Sequence, residues 1–245
     1  MEKSTIIDGT SVAAEWQGPH IAILPVGAFE QHGARLPMCT DTVFTEYYSR
    51  FLAGELGAAL LPAMPFASSL EHSAFRGSLS LRPETLMQII RDIADQLMRQ
   101  RFTRLVIVNG HGGNFFLPPV VRDINSRNLA IKIILTDCDD GLIVEGGDIH
   151  SDMYEISQLM ALRPELVRSE EHATCGKADN PTPKEGFIRS DLNLYGIGSR
   201  HPSGVWGDDR GGSVELGEKM LAITKKALLH RVKERLAWLE ESETY

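Results

Sequence analysis

In the stretch IAILPVGAFEQHGARLPMCTDT (residues 21–42), Glu30 and His32 stand two positions apart and Asp41 follows nine positions after the histidine. Side chains at i and i+2 of an extended chain point the same way, about 6.5–7 Å apart along it. That is too wide for one tight cage, but it suits two neighbouring cations that take one group each. Asp41 comes after a turn containing Gly33 and Pro37, at the expected start of a helix. Its two carboxylate oxygens can bridge two cations. Each residue also has a plain structural use, Asp41 as a helix cap and His32 as a hydrogen-bonded loop histidine. Taken singly, the structural uses are the better readings; taken together, the three point to cation binding.

Two further blocks carry the same chemistry. NGHGGN (residues 109–114) sets His111 between glycines, which let a backbone approach a ligand closely or take up positive φ. A phosphate-cradling turn is the competing reading, but the block lacks a P-loop lysine and the GxGxxG spacing. GGDIHSDMYEIS supplies His150 and Glu155. If Asp152 caps the following helix, Glu155 falls at the third position of a capping box, which is its local explanation. His150 lies just outside that helix, where an imidazole could move a proton near neutral pH.

Glu30, His32, Asp41, His111 and Glu155 make a mixed oxygen and nitrogen donor set. It suits two divalent ions of zinc, manganese or iron and argues against a thiolate structural site. Two such ions about 3.5–4 Å apart clamp a bridging water, acidify it to hydroxide and polarise a carbonyl oxygen. That chemistry hydrolyses an unactivated C–N bond without a covalent intermediate. His72, in SLEHSAFRGSLSL before an expected strand, is either a rim residue or a structural one. Trp206, in HPSGVWGDDRGGS, either lines a substrate pocket or packs its loop. With Asp152, these two are the candidate substrate contacts. Cys138 and Cys175 lack a recognisable histidine–acid spacing, so a thiol nucleophile is set aside.

The elements that must position these groups alternate. HIAILPVG, AALLPAMPF, RLVIVN and AIKIILTD read as buried strands. Helices are expected over DTVFTEYYSRFLAGELG, over RPETLMQIIRDIADQLMRQRF, over FLPPVVRDINSRN, from Asp152 to about Leu162 and from Ser213 onward. In the last, Leu221, Leu228, Val232, Leu236 and Leu239 share a stripe. Residues 168–203 read as a long loop, of the kind that is functional or mobile. With no internal repeat and no splitting linker, residues 1–245 form a single α/β domain, a mainly parallel sheet with helices on both faces. Ligands of such sheets gather beyond the carboxyl ends of the strands, where both VGAFEQH and VNGHGGN fall.

A chain of 245 residues can bury a sizeable core. A net charge of −8 argues against a nucleic-acid partner and favours a small molecule or metal ion. Three cysteines without regular spacing make no disulfide framework, so a cytoplasmic setting is expected. The first residues lack the pattern of a signal peptide, and no run approaches the ~20 apolar residues that cross a bilayer.

PVGAFEQHGARLPMCTDT, NGHGGN, HSDMYEIS with LMALRPELV, and SGVWGDDRG resemble, in order, the signature blocks of the creatininase family of metal-dependent amidohydrolases, from about residue 22 to residue 220. The resemblance implies an α/β fold, a two-metal site and a hexamer of cytoplasmic subunits. It implies that Glu30 and His111 bind one metal with Asp41 bridging, that His32 and Glu155 hold the second, and that His150 donates a proton to the leaving nitrogen. Creatininase itself has a glutamate where this chain has Gly113, so the second-metal acid falls to Glu155 and creatinine is not the expected substrate. Ser151-Asp152 replaces the Ala-Gly of many relatives, and the added carboxylate suggests a polar, hydroxyl-rich or cationic substrate. The expected function is hydrolysis of a C–N amide or cyclic amide in a small molecule. The alternatives are C–C hydrolysis or isomerisation of a polyol ketone at the same metals, and a non-catalytic phosphate-binding protein.

Overall fold

Apolar runs too short for helices form the centre of the molecule. In the computed structural model, which describes residues 20–127, 129–138, 150–176 and 196–242, Ile21–Val26 forms β1 and Arg104–Asn109 forms β3, whose six residues are all buried. Lys132–Asp137 forms β4. Ala59–Leu60 forms a short β2. The strands are parallel, in the order β2-β1-β3-β4.

Among the described residues five α-helices cover this sheet: α1 (Thr40–Leu56), α2 (Pro83–Arg99), α3 (Leu117–Ser126), α4 (Met153–Leu162) and α5 (Val214–Ser242). Successive strand residues point to opposite faces, and the core divides accordingly. Ala22, Leu24, Leu105, Ile107 and Ile133 pack with Leu86 and Ile90 of α2 and with Leu117 and Val120 of α3. Ile23, Val106, Val108 and Ile134 pack on the other face with Tyr48 and Leu52 of α1, Ile156 and Leu159 of α4, and Leu221, Leu228 and Val232 of α5. Leaving β1, the chain moves outward to β2 through α1. It then returns past β1 to β3 through α2, on the opposite face, as crossovers of one hand require. The loops after β1 and β3 therefore diverge and open a crevice between the two strand ends.

The expected strand Ala58–Phe66 shrinks to two paired residues because Pro62 and Pro65 offer no N–H to a ladder. Beyond them the edge continues only as single bonds, such as Met64 N–H to the Pro25 carbonyl at 2.9 Å. The strand expected after His72 is likewise reduced to isolated bridges, Phe29 with Leu79 and Ala67 with Ser80. In the long segment 168–203 the chain makes single 3-10 turns at Glu170–His172 and Ile197–Ser199. Its residues 177–195, like the N-terminal residues 1–19, lie outside the described residues. None of the three cysteines is in a disulfide. No helix among the described residues is long and apolar enough to cross a membrane.

Two glycines seat the helix that carries Asp41. A Cβ on Gly27, just past β1, would lie 2.6 Å from Thr42 Cα and 2.7 Å from its nitrogen. A Cβ on Gly110, just past β3, would lie 3.0 Å from the Asp41 carbonyl oxygen and 2.3 Å from Thr45 Cγ2. The first turn of α1 thus rests against the ends of both central strands. Gly27→Ala meets helix backbone that no rotamer change relieves, so a loss of about 1–3 kcal/mol is expected. Thermal unfolding together with bound-metal analysis checks this. Wild-type values in both would show that the seating does not matter.

Candidate metal centre

Glu30 follows β1 and is fully buried, at 0% exposure. His111 follows β3, and its Nδ1 lies 3.2 Å from Glu30 Oε1 and 3.4 Å from Asp41 Oδ2. The other Asp41 oxygen, Oδ1, lies 3.1 Å from His32 Nε2. Asp41 is not a cap: α1 begins after Cys39 with no side-chain cap bond, and the carboxylate in its first turn faces the two histidines instead. A negative charge in a helix's first turn is favoured by the helix dipole.

Three imidazoles are oriented by main chain. His32 Nδ1 donates to the Glu30 carbonyl at 3.1 Å, His111 Nε2 to that of Ser68 at 2.8 Å, and His150 Nε2 to that of Gln31 at 2.8 Å. A carbonyl only accepts, so each of these nitrogens carries hydrogen. The opposite nitrogen of each ring is directed at the carboxylates, as in histidines that ligate metals.

Glu155 does not close a capping box, because its side chain reaches the N–H one residue before the cap. Asp152 caps α4, Oδ1 accepting from the Tyr154 and Glu155 N–H groups, and Glu155 Oε2 accepts from Ser151 N–H at 2.7 Å. That bond holds Ser151 at φ +57, a left-handed backbone in a non-glycine residue. The same Glu155 offers an oxygen close to His32 and His150. Among the described residues three groups bring their donor atoms within 4.8 Å of one another: Glu30, Asp41 and His111; His32, His150 and Glu155; and Glu30, His72 and His150. All five candidate ligands thus meet in the first two groups, and Asp41 turns one oxygen toward each.

The electrostatics divide the histidines. Burial opposes charge on His32, but Asp41, Glu155 and Glu30 overcome it and carry its pKa up to about 10. His111 is raised well above its ordinary value in the same way, burial being outweighed by Glu30 and Asp41. Burial alone would raise Asp41, yet His32 and His111 pull it well below the usual carboxylate range. Burial holds His150 well below its ordinary value, reinforced by His32 and His72, and brings His72 down to about 4. Burial with the nearby Asp152 and Asp41 charges pushes Glu155 up to about 8 against the pull of His32.

A divalent cation fits this donor set. Among the described residues no group donates a hydrogen bond to either Glu30 oxygen or to Asp41 Oδ2, although imidazole nitrogens lie 3.2–3.4 Å away, off the hydrogen-bond axis. Buried carboxylates in that condition are costly unless a cation compensates them.

The cup opens into a cavity of about 690 Å³ that includes Glu71, Phe115, Asp137, Asp152, Tyr154 and Trp206 in its wall. Trp206 is bridged to His150 by two backbone bonds, at 3.0 and 2.9 Å, and stacks on His201, so it braces its loop and lines the cavity at once. His72, left open by the sequence, turns Nε2 toward Glu30 Oε1 at 3.3 Å. Sequence reasoning gave no role to Gln31, between two expected ligands, or to Glu71. A Cβ on Gly113 would lie 1.8 Å from Glu71 Oε1, so the acid beside that glycine arrives from a different segment. It sits 3.5 Å from His111 Nε2, and its pKa is raised by burial.

The profile of the family described as Creatininase: Creatinine amidohydrolase matches residues 8–232. A mycofactocin precursor peptide peptidase of Mycobacterium ulcerans (strain Agy99) is 30% identical over 225 residues, covering 87% of this chain and 85% of the relative. A creatinine amidohydrolase of Pseudomonas putida is 29% identical over 174 residues, covering 61% of this chain and 67% of that one. The solved structure described as "Creatininase Mn" superposes with a TM-score of 0.74 at 23% identity, covering 88% of this chain and 90% of that one.

Proposed function

Because the chain belongs to the creatininase family of amidohydrolases, we propose that it hydrolyses a C–N amide or cyclic amide bond in a small molecule with two divalent cations. Glu30, Asp41 and His111 would hold one cation, His32 and Glu155 the other, with Asp41 between them. The observation that carries this reading is Asp41 itself, whose two oxygens face the two donor groups at 3.1 and 3.4 Å. Cations so held supply Lewis acidity toward the scissile carbonyl oxygen and an acidified water as nucleophile. Zinc, manganese and iron suit the donors alike, and the relative described as "Creatininase Mn" favours one of the first-row ions.

The chain's own residues do the rest. His150, kept neutral and anchored through Nε2, turns Nδ1 into the cup within 3.8 Å of Glu30 Oε1. It can take a proton from the nucleophile's side and return it to the departing nitrogen. Glu71, Asp137 and Asp152 add negative charge to the wall, and Phe115, Tyr154 and Trp206 add aromatic faces. That lining supports a substrate that is cationic or rich in hydroxyls. Exposed Phe66, Leu70, Leu79, Leu81 and Phe115 support further contact between subunits, and a homohexamer of cytoplasmic subunits is part of the proposal.

Product analysis tests the reaction. Metal-loaded protein supplied with peptides, cyclic amides and polyol ketones is expected to release an amine or ammonia from an amide, with mass spectrometry finding one water added across the bond. Turnover of polyol ketones alone, with no amine released, would replace this reading by carbon–carbon hydrolysis or isomerisation.

A further inference from the structure

The geometry points to Gln31 as the positioning residue that fixes which nitrogen of His72 carries the proton, so that this ring turns an N–H and not a lone pair toward Glu30 and stays out of the cation ligand set. Gln31 Oε1 accepts from the Gly33 N–H at 3.0 Å, which fixes the amide's orientation. Its Nε2 then has two hydrogens and three neighbours: His72 Nδ1 at 2.9 Å, the Gly204 carbonyl at 2.9 Å and His150 Nε2 at 3.2 Å.

His150 Nε2 is already a donor, to the Gln31 carbonyl at 2.8 Å, so it cannot accept. The two amide hydrogens therefore go to Gly204 and to His72 Nδ1. An Nδ1 that accepts leaves the proton of neutral His72 on Nε2, and Nε2 is the atom 3.3 Å from Glu30 Oε1. His72 thus turns an N–H toward Glu30, off the axis of a hydrogen bond, whereas neutral His150 turns a lone pair toward the same carboxylate. The Glu30, His72 and His150 group cannot then hold a cation, which leaves two cation positions and not three. The loop is shaped for this amide: Gly204 sits at φ +82, and a Cβ there would lie 1.8 Å from Gln31 Oε1.

This role rests on the cup being the reaction site, but the direct readout does not need the reaction. With the histidine ring nitrogens isotope-labelled in the purified protein, long-range nitrogen–proton NMR reports the tautomer. His72 is assigned by the signal lost in His72→Gln. The wild type is expected to show His72 protonated on Nε2. Gln31→Glu replaces a donor by an acceptor and is expected to move that proton to Nδ1, while His150, held by main chain, keeps its proton on Nε2. Turnover of the same variant is expected to fall about 10–100-fold, the usual cost of losing an orienting partner. A wild-type His72 protonated on Nδ1 overturns the inference, whether or not the variant folds. So does a Gln31→Glu protein with unchanged tautomer and unchanged turnover. Failure to find any hydrolysis, with the tautomers as stated, would instead count against the proposed reaction.

Discussion

Asp41→Ala is expected to lower turnover by roughly three orders of magnitude or more while leaving the secondary structure intact. Stabilisation by a pair of bound cations is worth several kcal/mol, and each 1.36 kcal/mol is about tenfold in rate. Asp41 is the group that faces both donor sets, through Oδ1 to His32 and Oδ2 to His111. Without it, His32 and His111 lose the carboxylate between them, and the proposed cations lose their bridge. The helix keeps its start, because Asp41 makes no cap bond there and Thr40 and Thr42 keep theirs to the Pro37 and Ala28 carbonyls. Steady-state kinetics beside circular dichroism and metal analysis measure all three. Full turnover in Asp41→Ala would remove Asp41 from the chemistry.

Chelation should have the second large effect, on activity and on stability together. A ligand present at 1,000 times its dissociation constant stabilises the folded state by about 4 kcal/mol. In a domain of this size that corresponds to a melting temperature about 8–16 °C higher. Stripping the metal is expected to abolish turnover and lower melting by that order, with both restored by zinc or manganese. The pH dependence has a definite sign. A cation must displace the protons held at His32, with its pKa near 10, and at Glu155, near 8. Binding therefore releases protons, and affinity rises with pH and falls on acidification. In the stripped protein the His32–Asp41 pair has the opposite trend. Because the folded pKa of His32 lies above 6.5, its stabilisation is fully present below 6.5 and is lost as pH rises through about 10. Calorimetry in buffers of different ionisation enthalpy measures the released protons.

The fold was legible where local pattern and burial agree. The all-buried β3 declares itself as a short continuous apolar run and the one-sided α2 through period 3.6. Only the spatial order of the strands sends the ends of β1 and β3 to one crevice. The donor types at 30, 32, 41, 111 and 155 were legible because buried acids and histidines at strand ends are expensive without a use. Asp41 misleads locally, since an aspartate at a helix start reads as a cap, and only its contact with a histidine nine residues earlier shows otherwise. Glu155 misleads in the same way, since it stands at the capping-box position, yet its carboxylate accepts from Ser151 N–H, one residue before the cap, and also lies beside His32 and His150. Gln31 and Glu71 were not legible at all. Their partners lie as far away as Gly204 and His111, and no periodicity encodes such contacts. The irregular edge after β2 follows from Pro62 and Pro65, which were visible but outweighed by the apolar run around them.

Anomalous scattering from crystals of the purified protein tests the central claim most directly, because it counts the ions, identifies the element and names the ligands in one experiment. Two ions per chain are predicted, about 3.5–4 Å apart, one touching Glu30, Asp41 and His111 and the other touching Asp41, His32 and Glu155. An active protein whose ions lie elsewhere, or in which these five side chains touch no ion, would contradict the account.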